Sequence, residues 1–447
     1  MEITGKWNSW KASGINILSS SLAGLEVTYF LQKEARVLEE IRNHNLHRFR
    51  YYSIEHGYYE YEVEFEEAII GVRIAARGKD IVLEFLPVRN CYDVLVGGKV
   101  TGAFRQCAQV TKREDIIKII RGKEEFRFFS PEGDASVDKR NLLVPLEKGV
   151  HLVVCQSKSE HQYRTSTFIK KVINASKKKY LSIIKQRYKN KTESVCLVTG
   201  SVDINTIYIS ELKNTVSTSS REWSAGPVWG GYVLFPWDCF LMALMAALES
   251  KELAYNNILT ILGQSNRDGM IPGSIGKYLT TQDRPITPIE SYCTLKIYRR
   301  FREKNFLKKC YPVLKDSLRF YINKCDGNGD GLYEWVSFSP ELTSFEKESI
   351  SKINRLLPLG LGMGTLQGAK YASGLDNSPT FDRVKYDKKS HTMKMADVGL
   401  NSLLVVEGEC LQTMAQILGY KKDASFFRDF YLRLKKKIGD NLWDEAA

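Results

Sequence analysis

VGLNSLLVVEGECLQTMAQILG, residues 398–419, decides how the second half of this chain folds. It is long, largely apolar and free of proline, and it closes on Gly419. Glycine ends helices because it takes the left-handed backbone at no steric cost. Working outward, DCFLMALMAALES (238–250), ELAYNNILTIL (252–262), PIESYCTLKIYRRF (288–301), KKCYPVLKDSLRFYINK (308–324) and DASFFRDFYLRLKKKIG (423–439) read the same way. The last of these gathers lysines before Gly439, where a helix C-terminus favours positive charge. From Pro236 on, the chain predicts helices of roughly ten to twenty residues, about six to eight of them. The segments between them carry tryptophan, proline and carboxylates, which describes a rigid helical scaffold with a site at one rim.

The first part is unlike this. LEVTYFLQ (25–32), YYEYEVEFEEAIIGVRIAAR (58–77), DIVLEFLPV (80–88), EFRFFS (125–130), NLLVPL (141–146) and HLVVCQ (151–156) are short, partly alternating and rich in β-branched and aromatic residues. HG (56–57), RGKD (77–80), VGGK (96–99) and PEGD (131–134) stand as turn signals among them. The expectation is an N-terminal antiparallel β-sandwich over residues 1–165, a basic linker helix over 166–195 and a helical domain over 196–447.

Composition bounds the function. At 447 residues, 43% hydrophobic and 26% charged, the chain is an ordinary globular protein with room for two or three domains. The net charge of +13 is concentrated in KKVINASKKKYLSIIKQRYKNK (170–191). Ile173, Tyr180, Leu181, Ile184 and Tyr188 keep an approximately helical spacing through that run, so it reads as an amphipathic helix with a solvated lysine face. No zinc-finger or helix-turn-helix pattern accompanies it, and no nucleic-acid partner is expected. Nine dispersed cysteines without a CxxC pair argue against a disulfide framework and a cysteine metal cluster. His44, His47, His56, His151 and His161 share no ligand spacing. No apolar signal core or membrane-length run is present, so no membrane partner and a cytoplasmic location are expected. An aromatic share of 11% suits a sugar cleft and equally a large core.

Four segments carry the chemistry: WGGYVLFPWDCF (229–240), DGMIPGSI (268–275), DGNGDGLYEW (326–335) and SGLDNSPTFD (373–382). Together, and in this order, they resemble the six-hairpin glycosidases of glycoside hydrolase family 63. The likeness extends to that family's bacterial relatives, among them mannosylglycerate and glucosylglycerate hydrolases, and more distantly to trehalases and glucoamylases. It covers roughly residues 220–447. It implies an (α/α)6 toroid after a β-sandwich, inversion at the anomeric carbon, α-linked glucose or mannose substrates and no cofactor.

Inversion needs a protonated carboxyl to protonate the leaving oxygen and a second carboxylate, ~6.5–9.5 Å away, to activate water. The resemblance makes Asp376 the general acid. Asn377, Ser378 and Pro379 form a turn behind it, and Gly374 allows close backbone approach to a ligand. The competing reading is an Asx-turn that merely fixes a loop. The resemblance also makes Trp237 a stacking wall and Asp238 an acceptor from sugar hydroxyls, with Phe235 and Trp229 on the same wall. Simple capping of a helix N-terminus is the other account of Asp238. DGMIPGSI is expected as a rim loop shaped by Ile271 and Pro272, without ligand contact.

Asp326, Asn328 and Asp330 match the opening of a calcium loop, but its twelfth position is Ser337, so a structural loop without metal is expected. Two departures from the family stand out. Ala372 occupies a position where relatives commonly show Glu. DRPITP (283–288) stands where many carry Gln-Pro-Pro, so a usual polar sugar contact is missing. The family's general base, a late Glu, has no match among Glu407, Glu409 and Glu445, and twelve helices would be needed to close the toroid. The expectation is therefore a C-terminally incomplete toroid holding the acid half of a site. A carbohydrate-binding or regulatory relative without turnover is the alternative, and oligomeric state is open.

Overall fold

The computed structural model describes residues 8–11, 14–16, 25–33, 37–40, 45–78, 80–100, 109–113, 116–121, 124–133, 135–138, 141–209, 211–220, 229, 231–340, 344–356 and 360–444. The chain divides into two compact units, Met1–Tyr208 and Ile209–Ala447.

The first unit is built from two antiparallel sheets. The larger has the spatial order Gln109–Arg113, Ile116–Arg121, Glu124–Phe129, Val150–Gln156, Asp80–Arg89, Ala68–Arg77, Tyr58–Phe65 and Asn45–Ser53. The second runs Asn8–Lys11, Gly14–Asn16, Leu25–Lys33, Val94–Val100, Asn141–Pro145 and Ser136–Asp138, with Val37–Glu40 also paired to Leu25–Lys33. The alternation in YYEYEVEF does what it predicts. Tyr59, Tyr61, Val63 and Phe65 are buried, while Glu60, Glu62 and Glu64 between them are only partly so. One apolar cluster takes Tyr29, Val94, Val96, Leu142 and Val144 from the second sheet and Val72, Ile74, Leu83, Phe85 and Val154 from the first. The two sheets are thereby a sandwich, each fully buried large side chain contributing about 1.5–3 kcal/mol.

VGGK is not a turn. Gly97 and Gly98 lie inside the strand Val94–Val100, and a Cβ on Gly98 would collide with the ring of Phe128. The glycines are there to admit aromatic rings. The turn falls instead inside the long run 58–77, at Glu66 with φ of 51°.

Two helices complete this unit: α1, Ser166–Tyr188, and α2, Thr192–Ile204. Thr165 caps α1 by accepting from Phe168 N–H, and Ile169, Val172, Ile173, Tyr180 and Ile184 are its buried face. Lys170, Lys171, Lys178, Lys179 and Lys185 are exposed, as the spacing predicts, while Lys177 reaches Glu60 of the larger sheet at 2.6 Å. The basic helix falls in the first unit and packs on the larger sheet. Asp203 of α2 accepts from Ile54 N–H at 2.7 Å and pins that helix to the larger sheet.

The second unit holds eight α-helices among its described residues: α3 (Pro236–Ala246), α4 (Lys251–Leu262), α5 (Glu290–Phe301), α6 (Lys304–Lys324), α7 (Ser344–Leu356), α8 (Leu366–Ser373), α9 (Val398–Leu418) and α10 (Lys421–Asn441). Their ends follow local chemistry. Pro236 opens α3, Ser250 caps α4 and Asp397 caps α9 through Leu400 N–H. Gly419, at φ of 85°, closes α9. Successive hairpins stack with α3 on α5 and α5 on α9, while α4 packs on α6, so the helices form two layers. This is an α/α toroid-like arrangement following antiparallel sheets. No helix among the described residues is long and apolar enough to cross a membrane.

Candidate active site

The interhelical segments of the second unit enclose a cavity of about 900 Å³. Trp229, Phe235, Trp237, Asp238, Gly374, Asp376 and Asn377 all line it, so the seven residues singled out from sequence converge on one place.

The first wall is the entry to α3. Phe235 precedes the helix in extended backbone, Pro236 fixes the first turn, and Trp237 and Asp238 follow, both half-buried. Trp229 meets Phe235 edge to face, with centroids 5.9 Å apart. This gives the wall a fixed aromatic surface. Burial raises the proton affinity of Asp238, opposed by its own backbone N–H and by the Ser219 hydroxyl.

The end of α8 also lines the cavity. Gly374, at φ of 71°, ends the helix, and its N–H donates to Tyr371 O. The left-handed turn is what demands glycine here. The chain then folds tightly: Ser378 N–H donates to Leu375 O at 3.0 Å, and Ser378 in turn caps the short 3-10 helix Pro379–Phe381. Gln367 Nε2 reaches Asp376 O at 3.4 Å. Asp376 is exposed as a residue, yet the cavity wall crowds its carboxyl and raises its proton affinity, against the lowering effect of Arg284. A carboxyl whose proton affinity is raised beside a cavity suits proton donation.

DGMIPGSI contributes directly to the lining through Gly273 and Ser274, whereas Ile271 is buried behind. Sequence reasoning assigned it no contact. The larger correction concerns DRPITP. Arg284, Ile286 and Thr287 line the cavity, so a polar group does stand there. Arg284 Nη1 donates to Asp283 Oδ2 at 2.7 Å, both residues are buried, and the guanidinium lies over the Tyr371 ring at 5.2 Å. Tyr371, Trp335 and Asp397 were also missed. The Trp335 indole N–H is buried and finds no acceptor among the described residues. Asp397 is committed to capping α9.

The remaining acidic candidates serve other purposes. Glu407 is buried and accepts from Ser291 N–H (2.9 Å) and Tyr292 N–H (3.1 Å), so it caps the start of α5 from a neighbouring helix. Glu290 lies beside it, accepting from Ser317 Oγ at 2.6 Å. Burial raises the proton affinity of both, and for Glu407 the charge of Glu290 adds to this. Glu409 is exposed on α9, and Glu445 lies outside the described residues.

Asp326, Asp330 and Glu334 bring one carboxylate oxygen each within 4.8 Å of one another, a donor set suited to a hard cation. Glu334, not the twelfth position, supplies the third carboxylate. Most of these oxygens already accept loop N–H groups: Gly329 and Gly331 on Asp326, Leu332 on Asp330, Gly327 on Glu334. A tight turn accounts for that by itself. The eight described cysteines are buried and form no disulfide with one another, and His151 sits between Glu132 and Glu84.

Residues 231–447 match the family model of the mannosylglycerate hydrolase MGH1-like glycoside hydrolase domain. That segment contains every lining residue of the cavity except Ser219 and Trp229. None of the curated proteins compared with the chain matches it. Among solved structures it is similar to an uncharacterized conserved protein from Thermus thermophilus, at 18% identity with a TM-score of 0.36. That match covers 48% of this chain and 57% of the other, and at that score it bears on neither fold nor function.

Proposed function

We propose that residues 231–447, a mannosylglycerate hydrolase-like glycoside hydrolase domain, cleave an α-glucosidic or α-mannosidic bond with inversion, Asp376 serving as general acid. The observation that carries this is the placement of Asp376 and Asp238 on the lining of one cavity together with Trp229, Phe235 and Trp237. A pyranose needs an apolar face to stack on and a carboxylate to accept from its hydroxyls. Trp237 supplies the first and Asp238 the second, its charge-assisted bonds being the stronger kind. Asp376, its proton affinity raised by burial, gives its proton to the leaving oxygen as the glycosidic bond breaks. Water attacks from the other face of the sugar, activated by a second carboxylate.

That second carboxylate has no assignment among the described residues. Asp397 and Glu407 are both occupied as helix caps. This favours one other reading, a domain that binds the sugar and does not turn it over. The substrate is a small glycoside or oligosaccharide, no cofactor is needed, and the site of action is the cytoplasm. Screening α-linked disaccharides and glycosylglycerates with the wild type, Asp376→Asn and Trp237→Ala separates the readings. Hydrolysis lost in Asp376→Asn with binding retained supports catalysis. Binding without turnover at any pH supports the alternative.

A further inference from the structure

With Asp376 taken as the acid of the proposed function, Arg284 is the one cation among the described residues that line the cavity they share. Arg284 is 5% exposed, yet it lines the cavity. Several separate contacts immobilise it. Its Nη1 donates to Asp283 Oδ2 at 2.7 Å, and the same oxygen accepts from Ser337 Oγ at 2.7 Å. Ser337 Oγ in turn accepts from Gly364 N–H at 3.0 Å. The Tyr371 ring lies 5.2 Å from the guanidinium carbon. Gly273 N–H donates to Arg284 O at 2.9 Å, fixing the backbone. Two glycines leave the space. A Cβ on Gly368 would stand 2.8 Å from Arg284 Nη1, and one on Gly273 would stand 3.2 Å from its Cγ. A solvent-facing arginine needs no such slot. An ion pair this deep costs desolvation that its own attraction only partly offsets, so the charge is kept there for an effect on its surroundings.

We propose that Arg284 is a positioning residue of the catalytic acid, held by Asp283, Ser337, Tyr371 and the space Gly368 leaves, so that its charge stays on the cavity lining it shares with Asp376. Burial makes Asp376 hold its proton and Arg284 loosens that hold, leaving a carboxyl able both to keep and to surrender it. The other groups near that carboxyl do not substitute. The Tyr371 phenol is itself pushed up by burial and by Asp376, and so stays neutral. Lys370 is engaged by Asp382 at 2.9 Å. Asp238 and Asp397, elsewhere on the lining, are carboxylates and would act in the opposite sense.

The test is the titration of the Asp376 carboxyl, followed by carbon-13 NMR in the full chain, beside the pH dependence of kcat/KM on the best α-glycoside found. Arg284→Gln is expected to raise the Asp376 midpoint by about one pH unit and move the alkaline limb of the rate profile with it. Arg284→Lys, which keeps the charge, should stay within a few tenths of a unit of wild type. Ser337→Ala removes one hold on Asp283 and should give a smaller rise in the same direction; it keeps the test decisive if Arg284→Gln does not fold. An Asp376 midpoint unmoved in these variants overturns the proposal. A midpoint that moves while the rate profile stays still overturns the role of Asp376 as acid and leaves the effect of Arg284 on that carboxyl standing.

Discussion

Asp376 and Asp238 were singled out by resemblance; what their neighbours dictate locally is only the backbone, Gly374 ending a helix and Pro236 beginning one. Arg284 was not legible, since a lone Arg-Pro says nothing about burial. Ser337, which holds its partner Asp283, lies 54 residues beyond that aspartate, and only the fold joins them. Glu334 shows the same limit. In sequence it is one acid among many, but burial and the charges of Asp326 and Asp330 push its proton affinity up to about 7 from 4.5. A carboxyl raised on folding stabilises fully below its unfolded value, and that contribution is lost as pH climbs through the folded one. Stability should therefore decline between about pH 4.5 and 7 and level off above. Glu334→Gln keeps an acceptor for Gly327 N–H and should flatten this slope in urea melts across that range. A slope unchanged in the variant would mean that Glu334 is charged throughout.

Helices and strands were read well where one face repeats, as in Tyr58–Phe65 and α1, and poorly where a glycine has a packing duty. VGGK looks like a turn by composition, yet Gly98 exists to accommodate Phe128. Gly98→Val should cost on the order of 2–3 kcal/mol by overpacking, measured as a lowered urea midpoint of the first unit. At α5 the cap comes from another helix altogether. Glu407 is buried on the N-terminal amides of α5, a capping role that no spacing in sequence could show. Glu407→Ala should destabilise by about 3 kcal/mol, because two buried N–H groups lose their acceptor. Glu407→Gln should lose less and should also weaken the alkaline fall in stability that its raised proton affinity predicts. A Glu407→Ala variant as stable as wild type would contradict the capping role.

For the molecule as a whole, the succession of antiparallel sheets and helical hairpins was readable from periodicity alone. The convergence of residues 229–238 and 374–377 on one cavity was readable only by resemblance, and the share of 273–287, 335 and 371 in it was not readable at all, because no local rule brings distant loops together. The cavity, not any one motif, is what makes a sugar site credible, and its aromatic wall gives a direct handle. Sugar binding should perturb tryptophan fluorescence, and Trp237→Ala should weaken affinity by roughly tenfold or more, the loss of about 1.4 kcal/mol of stacking. The central claim, that Asp376 donates the proton, is tested most directly by comparing hydrolysis by wild type and Asp376→Asn on the same α-glucosyl and α-mannosyl substrates, with binding followed by that fluorescence. The expected result is turnover by the wild type and a loss of at least about a hundredfold in Asp376→Asn at unchanged affinity. Turnover by Asp376→Asn at the wild-type rate would contradict it.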